Sequence, residues 1–166
     1  MNLKLTFLAA LTLLSGSVFA DCTAPQGASL VTSGELKMST NPTLPPLQYV
    51  DGEGKLKGMR IELGEEIAKR LCLKADYTRI EFSAMVPGLQ GGRWDMTNTG
   101  IFFTPPRAKM LYMIPYDRPP VSISTPPPAA AKTTPVAALP GTTLAVELGG
   151  LEETTIPTLI QPLVAP

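Results

Sequence analysis

The sequence predicts an α/β fold built on a parallel sheet with flanking helices. Three observations carry that expectation. Extended runs at 35–40, 75–80 and 94–99 are separated by stretches with helical periodicity. Glycine pairs and prolines punctuate the joints between them. An alternation of strand and helix also calls for right-handed crossovers, which leave neighbouring strands parallel.

The elements follow in chain order. Residues 1–20, "MNLKLTFLAALTLLSGSVFA", carry one lysine near the start, an apolar run from Leu5 to Leu14 and small residues at Val18 and Ala20. They read as a cleaved secretory signal, because the apolar run is too short to span a bilayer. An N-terminal segment, 21–33, precedes the first domain, 34–120. There "ELKMST" (35–40) is a strand, and "LQYVDGEGKLKG" a hairpin turning at Asp51-Gly52. A helix is expected over 58–73, with Leu63, Ile67 and Leu71 on its apolar face and Glu65/Lys69 and Glu66/Arg70 pairs on the wet side. "ADYTRI" (75–80) is a second strand. Ser83 is a candidate cap for a short helix that Gly91-Gly92 ends. "WDMTNT" (94–99) is a third strand, less apolar than a buried strand should be. Thr104 caps a further helix, with Pro105 at its first position.

Composition shifts after Tyr116, where the final 52 residues hold eleven of the eighteen prolines. Residues 121–141 read as a Pro/Ala-rich linker, and 142–166 as the start of another strand-to-helix unit that does not complete. In it "TLAVEL" (143–148) is a strand, and a helix from Gly149 is expected to be stopped by Pro157, Pro162 and Pro166.

The bulk numbers exclude several classes. Fourteen basic and fourteen acidic residues cancel, so there is no basic field for nucleic acid. Histidine is absent and there are two cysteines, which leaves no four-ligand zinc site and no need for a cofactor. Export to an oxidising compartment would let Cys22 pair with Cys72; two unrelated cysteines is the alternative.

Arg107 stands out by position. It falls in the first turn of the helix after Thr104, where unpaired N–H groups already make a positive end and a cation is unfavourable by about 0.3–1 kcal/mol. The placement makes sense if an anion comes to sit beside it.

"TNPTLPPLQYVDGEGKLKGMRIELGEEIAKRL", "FSAMVPGLQGGRWDM", "TGIFFTPPRAK" and "PY" occur in that order over residues 34–155. Together they resemble the first lobe of the periplasmic solute-binding proteins of polar amino acid ABC transporters, bacterial extracellular solute-binding protein family 3. The resemblance implies a type II periplasmic-binding-protein-like lobe whose second lobe is truncated here. It also implies a ligand held in the cleft between lobes, an ABC transporter permease in the inner membrane as partner, a monomer, and a periplasmic location.

The same resemblance assigns site residues. Arg107 falls on the clamp for the ligand α-carboxylate, a role that suits its planar fork. Thr99 and Gly100 fall on the strand-to-helix segment that meets the ligand, with the Gly100 carbonyl accepting from the ammonium. Phe102 replaces a usual Ser or Thr. Asn41 stands where a ligand-contacting Asp or Asn is common, and Leu44 and Leu47 where aromatics are common. Phe82 falls on an aromatic wall; Met85 either shares that face or packs in the core. Arg60 replaces a frequent acid, a departure without an interpretation from sequence. Gly150 takes the place of a threonine that meets the carboxylate.

The leading expectation is therefore a binding protein, not an enzyme, for a small amino acid or related carboxylate. Two alternatives stand beside it. A secreted cyclohexadienyl or arogenate dehydratase-like enzyme would need a second-lobe acid, and Glu147, Glu152 and Glu153 are those present. A truncated remnant would bind nothing tightly.

Overall fold

The computed structural model describes residues 22–23, 26–118, 120–124 and 139–164. The expected signal, 1–20, lies outside the described residues, as does 125–138, the bulk of the expected linker.

A three-stranded parallel sheet forms the centre. Strand β1 (Glu35–Thr40) is the middle strand, paired along its whole length with β5 (Lys74–Arg79) and over Met38 and Ser39 with β6 (Met96–Thr97). The chain thus moves from β1 to one edge and then crosses to the other. A second, antiparallel sheet of β2 (Thr43–Leu44), β3 (Gln48–Val50) and β4 (Leu56–Lys57) lies between β1 and helix α1 in sequence. Its hairpin register, Tyr49 opposite Lys57 and Val50 opposite Leu56, is the one that the Asp51-Gly52 turn implies.

Helix α1 runs Met59–Arg70, shorter at both ends than the sequence suggested. Gly58 sets the start. Its φ of 115° lies outside the helical region, and a Cβ there would stand 2.6 Å from the Leu47 carbonyl carbon, so only glycine fits. The close approach lets Arg60 N–H donate to Leu47 O at 2.9 Å, which ties the helix to the hairpin. Cys72, at φ 56°, turns the chain out of the helix. The buried stripe is Arg60, Ile61, Gly64 and Ala68, one step round from the predicted face; Ile67 and Leu71 flank it, half-buried. Leu36 and Met38 of β1 meet Ala68, with Leu73, Ala75, Tyr77 and Met96 around them. Such a core offers on the order of 25 cal/mol per Å² of apolar area buried.

A 3-10 turn (Phe82–Ala84) leads into α2 (Met85–Gln90). Ser83 sits inside the turn and does not cap α2, which has no side-chain cap. Trp94 is 2 % exposed and lies against Gly88, where a methyl group would overlap the indole. The third strand is two residues instead of the expected 94–99: Trp94 is turned into the α2 contact, and only Met96 and Thr97 pair with β1. Thr104 caps α3 (Pro105–Ala108) by accepting from Arg107 N–H, as expected.

The C-terminal part differs more. Residues 143–148 form no strand among the described residues, because no neighbouring strand offers its backbone a ladder. Helix α4 (Leu151–Val164) passes through Pro157 and Pro162 instead of stopping. Thr154 and Thr155 hydroxyls donate to Leu151 O, and Thr158 to Thr155 O, so side chains occupy carbonyls along a distorted, largely exposed helix. The open cysteine question closes: Cys22 and Cys72 form a disulfide with a Cα–Cα distance of 5.2 Å, and Thr23 N–H donates to Arg70 O beside it. No helix among the described residues is long and apolar enough to cross a membrane.

Candidate functional site

In an open parallel sheet, ligands bind outside the carboxyl ends of the strands where the strand order reverses. That point lies between β1 and β6. Beyond them come Asn41 and Asn98-Thr99-Gly100, of which Asn41, Asn98 and Thr99 are buried.

Five chain segments converge there through one set of hydrogen bonds. Gln48, from the start of β3, donates through Nε2 to Asn41 O at 3.1 Å and to Thr99 Oγ1 at 2.9 Å. Its Oε1 accepts from Arg60 Nη1 at 2.5 Å. Asn98 Nδ2 donates to Arg60 O at 2.6 Å and to the Tyr77 hydroxyl at 2.9 Å, and that hydroxyl donates to Ile61 O at 3.0 Å. Burial pushes the Tyr77 phenol up to about 12, with Asn98 partly opposing the rise. The strand ends are thereby locked to the first turn of α1. Gly100 completes the arrangement, since a Cβ there would stand 2.8 Å from Arg60 Nη1.

A cavity of about 750 Å³ opens beside this network, between residues 41–102 and residues of 120–124 and 139–156. Its size falls in the usual range for small-molecule sites. Asn41, Leu44, Phe82, Thr99, Gly100 and Phe102 line one side, and Gly150 the other. Glu147 faces in from the second side and accepts from Asn41 Nδ2 at 2.5 Å. Burial raises the Glu147 carboxyl, the charge of Glu152 adds to the rise, and the Asn41 hydrogen bond opposes it.

Two predicted residues stand apart from the lining. Met85 is fully buried and touches neither cavity, so it takes the core-packing role. Arg107 lies just behind the wall. Its guanidinium carbon is 5.8 Å from the Phe82 ring centroid, Nη1 donates to Phe102 O at 2.9 Å, and Nη2 donates to Gly149 O at 2.5 Å. Burial lowers its pKa, against the pull of Glu152. The fork therefore bridges backbone from both sides of the cavity.

Sequence reasoning left out Gln48, considered Glu147 only as an acid for the enzyme alternative, and left Arg60 without a role. Gln48 carries no signal in sequence, because a glutamine at a hairpin start reads as a surface residue. No group of three metal-ligating side chains occurs among the described residues.

Comparison with known proteins agrees with this geometry. The family model for bacterial extracellular solute-binding proteins, family 3, matches residues 36–131. A probable ABC transporter arginine-binding protein of Chlamydia trachomatis is 34% identical over 113 residues, covering 68% of this chain and 43% of that protein. A probable ABC transporter extracellular-binding protein of Bacillus subtilis is 29% identical over 119 residues, 69% of this chain and 42% of that one. Among solved structures, an ancestral arginine-binding protein bound to glutamine superposes with a TM-score of 0.65 at 27% identity, over 80% of this chain and 59% of that chain. The chain spans less than half the length of these two curated relatives.

Proposed function

The chain belongs to the bacterial extracellular solute-binding proteins of family 3, and from that premise we propose that it is the substrate-binding component of an ABC transporter. It takes a small amino acid or related carboxylate into the cavity and hands it to a permease in the inner membrane. On this reading residues 1–20 export it to the periplasm, residues 34–120 are the first lobe, and 142–166 open the second.

The observation that carries the reading is the cavity's position. It lies at the carboxyl ends of β1 and β6 and is shared with residues 142–156, which is where a fold of this kind meets a ligand. Arg107 would turn its fork from the Phe102 and Gly149 carbonyls to the ligand carboxylate. That exchange is favourable because a carboxylate gives the planar fork a bidentate partner of opposite charge in place of two neutral carbonyls. Asn41, Thr99 and the Gly100 carbonyl supply the remaining polar contacts, and Leu44, Phe82 and Phe102 the apolar wall. The relatives that support this reading are binding proteins, so the dehydratase-like alternative is not favoured.

The test is calorimetric titration of the chain from Asp21 with the standard amino acids and small carboxylates, alongside Arg107→Ala. Saturable binding by at least one compound is expected, weakened about 100-fold in the variant, as for a lost buried charge pair. If a folded chain, checked by circular dichroism, binds none of them saturably, the proposal fails.

A further inference from the structure

We propose that Arg60 is a second anion subsite of the cavity, and that the ligand is acidic: a small dicarboxylate, with or without an amino group, whose far carboxylate meets the Arg60 guanidinium. The inference rests on the binding-protein reading and adds the ligand's charge to it.

Arg60 is 2 % exposed and lines the cavity. The arginine side chain is a cation with five N–H donors and no acceptor. Removing it from water is costly unless an anion and a full set of acceptors replace the solvent. The described residues do not provide them. Arg60 makes no ion pair with any of them, its one side-chain bond runs to the neutral Gln48 Oε1, and its Nε is buried without a hydrogen-bond partner.

The nearby acids are committed elsewhere. Glu147 accepts from Asn41, and the charge of Glu152 acts on Arg107. On the other side, a smaller apolar groove of about 440 Å³ also touches Arg60 and holds Asp95 and Asp117. The Asp95 carboxylate accepts from Val31 and Lys37 N–H groups, and Asp117 from Arg118 N–H. None of these neutralises the guanidinium.

The surroundings hold that guanidinium in place for a ligand. Gln48 fixes one edge, the Leu47 and Asn98 contacts fix the backbone of Arg60, and Gly100 leaves the room that a side chain would fill. The cavity thus has two cations, Arg60 inside it and Arg107 behind Phe82, with Glu147 on the opposite wall. A dicarboxylate answers both cations, and an amino group on it answers Glu147. A ligand with a basic side chain would bring a third positive charge to Arg60.

The test is titration calorimetry of the chain from Asp21 with L-glutamate, L-aspartate, glutarate, L-glutamine and L-arginine, repeated with Arg60→Met and Gly100→Ala. At least one dicarboxylate is expected to bind about tenfold or more tighter than L-glutamine and L-arginine, the discrimination a placed charge provides. Arg60→Met should remove that preference, costing the dicarboxylate at least about tenfold more affinity than it costs L-glutamine, and Gly100→Ala, which crowds the guanidinium, should reduce it. L-Glutamine or L-arginine binding as tightly as the dicarboxylates in the unaltered chain would overturn the inference and leave the binding-protein reading intact. Equal losses for L-glutamate and L-glutamine in Arg60→Met would overturn it too, by giving Arg60 a structural role. Saturable binding of none of the five, with other amino acids still bound, would likewise overturn the inference alone; if nothing at all binds, both readings fall.

Discussion

Gly64→Ala sets two effects of opposite sign against each other. In an exposed helix the change would stabilise by about 1 kcal/mol, because alanine restricts the unfolded backbone. Gly64 is buried in α1, however. A methyl group there would overlap the Tyr77 hydroxyl oxygen and stand 2.5 Å from Asn98 Nδ2 and 3.0 Å from Met38 Sδ. Only the Met38 thioether is free to yield, since the Tyr77 hydroxyl is held by Ile61 O and Asn98. Overpacking of this kind costs about 1–3 kcal/mol. Displacing the hydroxyl from its two partners adds about 1 kcal/mol for each bond. The net expectation is a destabilisation of about 2–4 kcal/mol after the helix propensity gain. Urea unfolding followed by circular dichroism measures it, with Gly52→Ala as control, since nothing lies within 4 Å of a Cβ at Gly52. A Gly64→Ala chain as stable as the parent would refute the packing argument for the α1, Tyr77 and Asn98 junction.

Two other expectations concern stability. Reducing the Cys22–Cys72 bond, or replacing both cysteines by serine, releases a 50-residue separation; by loop-closure entropy this lowers stability by about 4 kcal/mol, read as a shifted urea midpoint with and without reductant. An unchanged midpoint would count against it. For Tyr77, the folded pKa of about 12 stands above the ordinary 10.0, so the folded state holds the phenolic proton more tightly. Its contribution is complete below pH 10 and is lost as pH rises from there to about 12; unfolding curves across that window should show a downward slope that Tyr77→Phe lacks.

The strands at 35–40 and 74–79, the Asp51-Gly52 hairpin and the Thr104 cap were legible in sequence because each rests on local chemistry: a periodicity, a turn pair, a capping hydroxyl. The third strand was overextended because Trp94 fits a strand by propensity yet serves the α2 contact through Gly88. Proline proved a poor stop signal at 157 and 162, since the helix runs through both. Within the candidate site, Asn41, Thr99 and Gly100 entered through the family resemblance alone, and the fold sets them beside the cavity. Arg60 was not, since a charged residue beside Ile61 at a helix start reads as a solvated first turn. Only the long-range contacts of Gln48 and Gly100 show that it points inward.

Gln48 has a consequence for how such a site can change over time. Its amide presents one acceptor to Arg60 and one donor group to Asn41 and Thr99, so the same bonds that shape the pocket also fasten the small hairpin sheet to the parallel one. Mutational drift at position 48 or 60 alone would strand a polar partner in the interior. A lineage changing either residue would have to alter both positions together, or tolerate a poorly folding intermediate along the way.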